Sequence, residues 1–228
     1  MATRPAEDPA PPGRARRRHR PGLREELLEA ALEEFAAHGF DGASTAAIAR
    51  RAGAHQPQIN YHFASKEALW RASVDHLFGR LVAALGDLPP QGPDGSDGLD
   101  VDVLAEAFAG TIGRFVRFAA EHPELNRIVV HEATAGTERL DWLVDIHVRP
   151  LADRSQVAWR RLREAGVAAP LDDRFVHHVI VGAASLVYVN APEFERLQGE
   201  DPARRDLVDR HAEGIVAMLL PGRRQPSP

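Results

Sequence analysis

Residues 44–63 read STAAIARRAGAHQPQINYHF, and this stretch decides the fold of the first third of the chain. Ala49 is small enough to let two helices approach closely, Gly53 suits a tight turn, and Ile59 can anchor a second helix against the first. This spacing is typical of a helix-turn-helix motif. It predicts a short helix before Gly53 and a second helix that begins at Pro57, since proline is tolerated in a first helical turn.

The exposed positions of the predicted second helix are uncharged and rich in hydrogen-bonding groups. Gln and Asn side chains can pair bidentately with adenine edges in the major groove. Thr45, at the start of the preceding helix, and Lys66, at the start of the following one, can hold phosphates on either flank. The pattern predicts a DNA-reading surface, and a capped surface turn between two core helices is the alternative. The reading positions are Gln56, Gln58, Asn60, Tyr61 and His62.

An amphipathic helix precedes the motif. Leu28, Ala31, Leu32 and Phe35 fall at i, i+3, i+4 and i+7, which places them on one face of a helix with glutamates on the other. Gly39 supplies the expected C-terminal stop.

A Pro- and Arg-rich segment precedes that helix and is predicted to be a disordered basic arm over residues 1–22. Residues 1–85 contain 12 Lys and Arg against 10 Asp and Glu, whereas residues 86–228 contain 16 against 23. Clustered arginines suit a polyanion, because each neutralised phosphate releases condensed counterions. A solvated tail is the alternative interpretation. The arm residues assigned to DNA binding are Arg16, Arg17, Arg18 and Arg20.

The rest of the chain shows helical periodicity and no strand pattern. Ser65 is a suitable N-cap for a fourth helix, and a Pro- and Gly-rich connection follows over residues 86–98. Thr137 is a candidate cap for a long helical segment over residues 138–165. A kink is expected before Pro150, because the proline ring crowds the preceding turn. These patterns predict an all-α fold with about nine helices.

The composition argues against several classes of protein. There is no cysteine, which excludes disulfides and thiolate sites. The longest apolar run, residues 179–189, is shorter than the ~20 residues that a membrane span needs, and no secretory signal is recognisable. No motif of a P-loop, a nucleophile elbow or a dinucleotide-binding loop occurs, and no histidines have the spacing of zinc ligands. We therefore expect a cytoplasmic protein that is not an enzyme and has no cofactor, no metal and no membrane partner.

Four short segments together carry a family resemblance: AALEEF at residues 30–35, STAAIARRAG at 44–53, QPQINYHF at 56–63 and SKEAL at 65–69. Over residues 24–70 the chain resembles the DNA-binding region of the tetracycline-repressor (TetR) family of bacterial regulators. The resemblance implies a homodimeric transcription factor, usually a repressor, whose C-terminal domain binds a small ligand that weakens DNA binding.

The resemblance also implies a domain organisation. A three-helix DNA-binding domain with the helix-turn-helix is expected over residues 23–70, a helical ligand-binding and dimerisation domain over 71–220, and a disordered tail over 221–228. The partners are a double-stranded, palindromic DNA operator, a second copy of the chain and a small-molecule effector. The DNA-binding residues of the domain are Ser44, Thr45, Gln56, Pro57, Gln58, Asn60, Tyr61, His62 and Lys66.

An effector pocket is implied among the helices of residues 101–190. Its candidate residues are polar or aromatic side chains within apolar stripes, for each of which core packing or a solvated position is the alternative. Their mixture suggests an amphiphilic ligand that is anionic or aromatic. The candidates are Arg114, Phe118, His131, Trp142, Ile146, Trp159, His178 and Tyr188.

The segment 174–190 is apolar on more than one side, which is typical of a buried helix. Paired with the last helix, it can form a two-fold four-helix bundle with a second copy of the chain. The predicted dimer residues are Val176, Ile180, Ala183, Val187, Leu207, His211, Ile215 and Leu219.

Two other classes remain open. One is an all-α enzyme that uses scattered His and Glu side chains. The other is a helical architectural protein without an effector, which would have a filled C-terminal core and no cavity.

Overall fold

The computed structural model describes residues 22–86 and 100–223, and the regular structure of these residues is entirely helical. The all-α prediction is therefore confirmed. The helices are α1 (Leu23–Gly42), α2 (Thr45–Arg51), α3 (Gln56–His62), α4 (Lys66–Leu85), α5 (Val101–Glu121), α6 (Glu124–Ala135), α7 (Glu138–Leu143), α8 (Arg149–Glu164), α9 (Asp173–Val189), α10 (Ala191–Gln198) and α11 (Arg205–Leu219).

The ends of the N-terminal helices lie close to where the sequence places them. Gly39 adopts a positive φ of 66° inside the range of α1, which confirms the predicted stop. The side chain of Ser44 accepts a hydrogen bond from the Ala47 amide and caps α2. Ser65 caps α4 in the same way, through the Ala68 amide.

The long segment of residues 138–165 is interrupted just before its proline. A π-helical turn, Val144–Val148, joins α7 to α8 directly before Arg149 and Pro150. The expected irregularity therefore takes the form of a widened turn, which accommodates a ring that would clash in an α-helix. Thr137 does not cap α7 with its side chain, because its hydroxyl donates to Glu132 instead.

Helix α10 is not predicted from the sequence. Pro192 lies in the first turn of this helix, directly after Asn190 ends α9. Because a proline after a helix usually marks its end, the sequence predicts one helix followed by a loop. With α7, the π-turn and α8 counted as one rod, the described residues form ten helices, where the sequence predicts about nine.

The first hydrophobic core joins the N-terminal helices to the second half of the chain. Leu28, Phe35 and Trp70 pack there together with Ile128 of α6 and Leu143 of α7. Helix α1 therefore lies against α6 as well as α4. The predicted domain boundary at residue 70 falls inside α4, whose side chains pack against both halves of the chain.

The second core lies among α5, α8, α9 and α11. Trp159 and Leu162 of α8 are fully buried, as is Val176 of α9. Within the described ranges, no single helix is long and apolar enough to cross a membrane. The pair of α9 and α10, bent by 71°, meets the length and composition criteria only when the two are taken together.

Candidate DNA-binding surface and ligand cavity

Helices α2 and α3 are held in a fixed relation by a small buried contact. Ala49 of α2 and Ile59 of α3 are both buried, as the motif requires. Gly53 has a positive φ of 60°, and the amide of Ala54 donates to the carbonyl of Ala49 at 2.8 Å. A side chain at Gly53 would be strained in this turn, so glycine is the residue that permits the crossing.

A buried carboxylate fixes α2 against α1. Glu34 accepts a hydrogen bond from the amide of Ser44 at 3.2 Å, and Arg51 and His38 lie at 3.9 and 4.0 Å from the same carboxylate. Glu34 thus orients the first residue of the motif, and the guanidinium of Arg51 compensates its charge.

The exposed side of α3 presents amide and aromatic groups. Gln56, Asn60 and Tyr61 are exposed, and the side chain of Tyr61 stands out with 69% of its surface accessible. The side-chain amide nitrogen of Gln56, Nε2, donates a hydrogen bond to Oγ1 of Thr45 at 2.7 Å. This bond joins two predicted DNA-contact residues across α2 and α3. These groups can contact base edges and phosphates without rearrangement of the backbone.

Two predicted contact residues also have a structural function. The carbonyl of the Gln58 side chain accepts a hydrogen bond from the His55 amide at 2.9 Å, so Gln58 helps to begin α3. Ser44 caps α2. Pro57 is exposed in the first turn of α3, and His62 is half-buried at its end with its ring 5.1 Å from that of Tyr61.

Lys66 lies at the N-terminus of α4, beside the reading surface. Its ammonium group donates to the carbonyl of Asp41 at 3.3 Å and lies 4.8 Å from the centre of the Phe40 ring. The charge is therefore held at a defined place where a phosphate can approach. The four arginines of the predicted basic arm, Arg16, Arg17, Arg18 and Arg20, lie outside the described residues.

Two further side chains near the exposed side of α3 are not predicted from the sequence. Arg50 and His55 line an open concavity of about 810 Å³ between α2 and α3, together with Gln56. The signal for Arg50 is the pair Arg50–Arg51 at the end of α2. Arg51 is held by Glu33 at 2.7 Å, whereas Arg50 is exposed toward the concavity.

The second candidate site is a cavity in the C-terminal half. It has about 930 Å³ of empty space, part of it open to solvent, and lies among α4, α5, α8 and α9. Leu81, Phe108 and Phe115 form part of its apolar wall, and Arg154 and Arg161 are its cationic residues.

None of the eight predicted ligand residues lines this cavity. The neighbouring His177 lines it, whereas His178 is exposed. Trp159 is fully buried in the second core, where its indole N–H donates to the carbonyl of Leu171. The guanidinium of Arg114 donates to the carbonyl of Leu85 at 2.7 Å and ties α5 to the end of α4.

The remaining predicted ligand residues also lie away from the larger cavity. His131 donates to the carbonyl of Ala36 at 3.2 Å, between α6 and α1. Trp142 packs with its ring 5.5 Å from that of Trp70, and Phe118 is buried in the first core. Ile146 is exposed beside a smaller cavity, and Tyr188 lies next to His211. Because periodicity identifies only the buried face, the sequence could not separate core aromatics from cavity walls.

The predicted dimer residues have different positions within the chain and stay a prediction. Val176, Ile215 and Leu219 are buried in the chain's own second core. Ile180 lines the ligand cavity. Ala183, Val187 and Leu207 are half-buried, and His211 is held 3.0 Å from the hydroxyl of Tyr188.

Burial sets the protonation of groups around α9. It lowers the pKa of His177 and His211, and it raises the pKa of Tyr188 to about 12. These groups are therefore uncharged at neutral pH. No group of three or more His, Cys, Asp and Glu side chains in residues 22–86 and 100–223 could hold a metal ion.

Comparison with known proteins gives consistent matches. The family described as "Bacterial regulatory proteins, tetR family" matches residues 27–72. The transcriptional regulator RutR of Escherichia coli K12 is 23% identical over 202 residues, which cover 86% of this chain and 88% of RutR. The transcriptional repressor NicS of Pseudomonas putida KT2440 is 26% identical over 167 residues, which cover 72% of this chain and 74% of NicS.

A solved structure extends the likeness to the whole fold. The regulator FadR of Bacillus subtilis, in complex with stearoyl-CoA, superposes with a TM-score of 0.59 at 16% identity, over 88% of this chain and 99% of FadR. Together with the buried contact of α2 and α3 and the exposed side of α3, these matches show that residues 27–72 are a DNA-binding domain of the tetR family of bacterial regulatory proteins, in a chain whose whole length resembles transcriptional regulators.

Proposed function

We propose that the chain acts in the cytoplasm as a homodimeric repressor that binds a palindromic operator and is released from it by a small-molecule effector, without enzymatic activity. The observation that carries the proposal is the exposed side of α3, where Gln56, Asn60 and Tyr61 stand out from a helix fixed by Ile59 and Gly53. NicS, a relative that covers most of the chain, is a repressor.

A second copy of the chain is expected on the outer side of α9. Phe175, His178, Gly182 and Leu186 are exposed there at intervals of three and four residues, so they form one strip along the helix. Gly182 has no side chain and allows close approach of a partner helix. Met218 of α11 is exposed as well, and the contact of Tyr188 with His211 holds α9 and α11 together.

A dimer predicts that the operator is an inverted repeat. Two recognition helices about 34 Å apart reach successive turns of the major groove, so a two-fold protein reads an inverted repeat. The effector then acts by favouring a dimer in which the two helices have a different separation. An effector that binds both forms equally would shift nothing.

A chain of polar contacts connects the C-terminal half with α1. Arg80 of α4 donates to Glu29 of α1 at 2.8 Å, and its guanidinium also lies 2.9 Å from Nε2 of His122. His122 lines a second cavity, which adjoins the larger one. A ligand that displaces His122 would therefore act on α1 through Arg80, and α1 carries the Glu34 that orients α2.

The two cavities favour an effector-binding regulator over a helical architectural protein. An architectural protein needs no space inside its C-terminal half, and empty apolar space is unfavourable unless something occupies it. FadR of Bacillus subtilis, which shares this fold, binds stearoyl-CoA. These observations support the effector part of the proposal.

The decisive experiment is a selection of bound duplexes from a random-sequence pool by the full chain, at a stated salt concentration near physiological strength. We expect an inverted repeat whose half-sites are centred about one or two helical turns apart. Recovery of a single, non-repeated site would contradict the dimer. Recovery of no sequence above background, with the protein folded, would contradict DNA recognition by α3.

A further inference from the structure

The open concavity between α2 and α3, of about 810 Å³, has a floor of small residues. Ala46, Ala49 and Ala54 line it together with Gly53 of the turn, and none of the described residues in its lining is acidic. A floor without long side chains allows another surface to approach the backbone closely. The concavity can therefore accept a broad convex surface.

Arg50 places a permanent positive charge at the edge of this concavity. It lies one helical turn after Ala46 on the same face of α2, and both residues are exposed. Its neighbour Arg51 is paired with Glu33 at 2.7 Å, whereas Arg50 forms no hydrogen bond or ion pair with the residues that the structure describes. The guanidinium of Arg50 can therefore bind an anion without breaking any of the described contacts.

Arg50 and Lys66 flank α3 from opposite ends. Gln56, a predicted DNA contact in the first turn of α3, lines the same concavity as Arg50, whereas Lys66 begins the helix that follows α3. With seven residues, α3 extends about 10 Å along its axis, close to the width of the major groove, about 12 Å. Cations beside both ends of such a helix can reach the phosphates that border the groove on its two sides.

We propose that Arg50 binds a phosphate of the operator, on the strand across the major groove from the phosphate that Lys66 binds. The concavity accommodates the sugar-phosphate ridge of that strand. Charge and shape both match, because the ridge is convex and anionic, whereas the concavity carries a free guanidinium and has a floor of small residues. This inference rests on the proposed function and adds a contact that fixes the position of α3 in the groove without reading the bases.

The first test compares full-length Arg50→Ala with the wild type in titrations of the duplex that the wild type selects and of an unrelated duplex of equal length. We expect both duplexes to be bound about fifteenfold more weakly at about 0.05 M salt and about fivefold more weakly at about 0.15 M, because one released counterion is lost. Arg50→Lys retains the charge and should retain the salt dependence. The matched control is Arg117→Ala, which removes an exposed charge beside Asp209 and should bind as the wild type does.

The second test locates the phosphate. Selected duplexes in which one phosphate at a time is replaced by an uncharged methylphosphonate are titrated with the wild type, Arg50→Ala and Lys66→Ala. We expect one position in each half-site at which the replacement weakens wild-type binding about fivefold and leaves Arg50→Ala unaffected. The position to which Lys66→Ala is insensitive should lie on the opposite strand.

The third test concerns the shape of the concavity. Ala46→Leu places a larger side chain on its floor and should weaken binding to both duplexes at least about fivefold, without a change in the salt dependence. Ala83→Leu, at an exposed position of α4, is the control and should bind as the wild type does. Leucine is well tolerated in helices, and thermal unfolding of each variant checks that it folds.

Wild-type affinity and salt dependence in folded Arg50→Ala would overturn the proposal, as would two insensitive positions on the same strand. A changed base preference with unchanged salt dependence would also overturn it, because Arg50 would then contact a base. Wild-type binding by Ala46→Leu would exclude the ridge from the concavity. If the wild type binds no DNA, the proposed function fails together with this inference. If the wild type selects a duplex that Arg50→Ala binds equally well, only this inference fails.

Discussion

The guanidinium of Arg80 lies 2.9 Å from Nε2 of His122, across α4 and the end of α5. A guanidinium only donates hydrogen bonds, so Nε2 is the acceptor and the ring proton lies on Nδ1, which donates to Glu124 at 2.9 Å. Arg80 also donates to Glu29 of α1. One side chain therefore joins a cavity wall to the helix that positions the DNA-binding motif.

The variant Arg80→Met keeps much of the apolar stem and removes this connection. We expect the variant to bind the selected operator at least about fivefold more weakly than the wild type, because α1, which carries Glu34, loses a contact that holds it against α4 and typical coupling free energies correspond to factors of about 5 to 150. The measurement is a titration of the operator with each protein. Arg117→Met, which removes an arginine exposed beside Asp209, should bind the operator as the wild type does. Equal affinities of Arg80→Met and the wild type would show that this contact does not position the motif.

Tyr61 and Lys66 should differ in what they contribute to DNA binding. Tyr61→Ala removes an exposed side chain from the reading side of α3 and should weaken binding to the selected operator by about 1–3 kcal/mol, with little effect on unrelated duplexes. Lys66→Ala should weaken binding to all duplexes about equally and reduce the salt dependence by about one ion. Titrations of operator and unrelated DNA at several salt concentrations measure both. Unchanged operator choice and affinity in Tyr61→Ala would refute the assigned recognition face.

A negative charge introduced into the exposed strip of α9 should dissociate the dimer. Leu186 and Val103 have nearly the same exposure, 54% and 53%, but only Leu186 belongs to the proposed interface. Leu186→Asp should sediment as a folded monomer at concentrations where the wild type and Val103→Asp are dimers, because an interface core does not accommodate an unpaired carboxylate. A dimeric Leu186→Asp would place the interface elsewhere.

The buried carboxylate of Glu132 should be important for stability. It accepts hydrogen bonds from Thr137 at 3.0 Å and from Arg139 at 3.1 Å, and the Arg139 guanidinium lies 3.8 Å from the centre of the Phe40 ring. Glu132→Ala leaves the largely buried cation unpaired and should lower the free energy of unfolding by about 3–5 kcal/mol.

Denaturant unfolding measures the effect of Glu132→Ala. The control is Asp145→Ala, which breaks an exposed pair with Arg149 and should leave the unfolding midpoint unchanged. Equal midpoints for Glu132→Ala and the wild type would show that the pair between α6 and α7 does not stabilise the fold.

Acid should destabilise the protein through His177 and His211. Burial lowers the pKa of both groups below the ordinary histidine value of about 6.5, so the unfolded chain takes up protons at a higher pH than the folded chain does. The stabilising contribution is present above about pH 6.5 and is lost as the pH falls through the lower folded pKa values. For each of the two histidines, the free energy of unfolding changes by at most about 1.4 kcal/mol per pH unit.

Unfolding at fixed protein concentration, between about pH 7.5 and about pH 5, measures this slope. His177→Gln and His211→Gln should each reduce this slope. If both single variants retain the wild-type slope, other groups cause the acid sensitivity.

The helix-turn-helix and its ends follow from local sequence alone. Ala49, Gly53 and Ile59 lie within ten residues of one another, and helix caps such as Ser44 and Ser65 act on amides three residues away. Such local interactions can be predicted from residue type and spacing. The exposed side of α3 also follows from the sequence, because a short helix with one buried anchor has a predictable exposed side.

The packing of distant helices fixes which apolar positions of the second half face the core and which face the cavity. Ile180 lines a cavity and Val176 lies in the core, although both stand on the same predicted stripe of α9. A periodic pattern identifies an apolar face, but what covers that face depends on helices that are distant in the chain. For the same reason Arg154 and Arg161, which look like a solvated helix face in the sequence, emerge as cavity residues only once α8 is packed beside α4, α5 and α9.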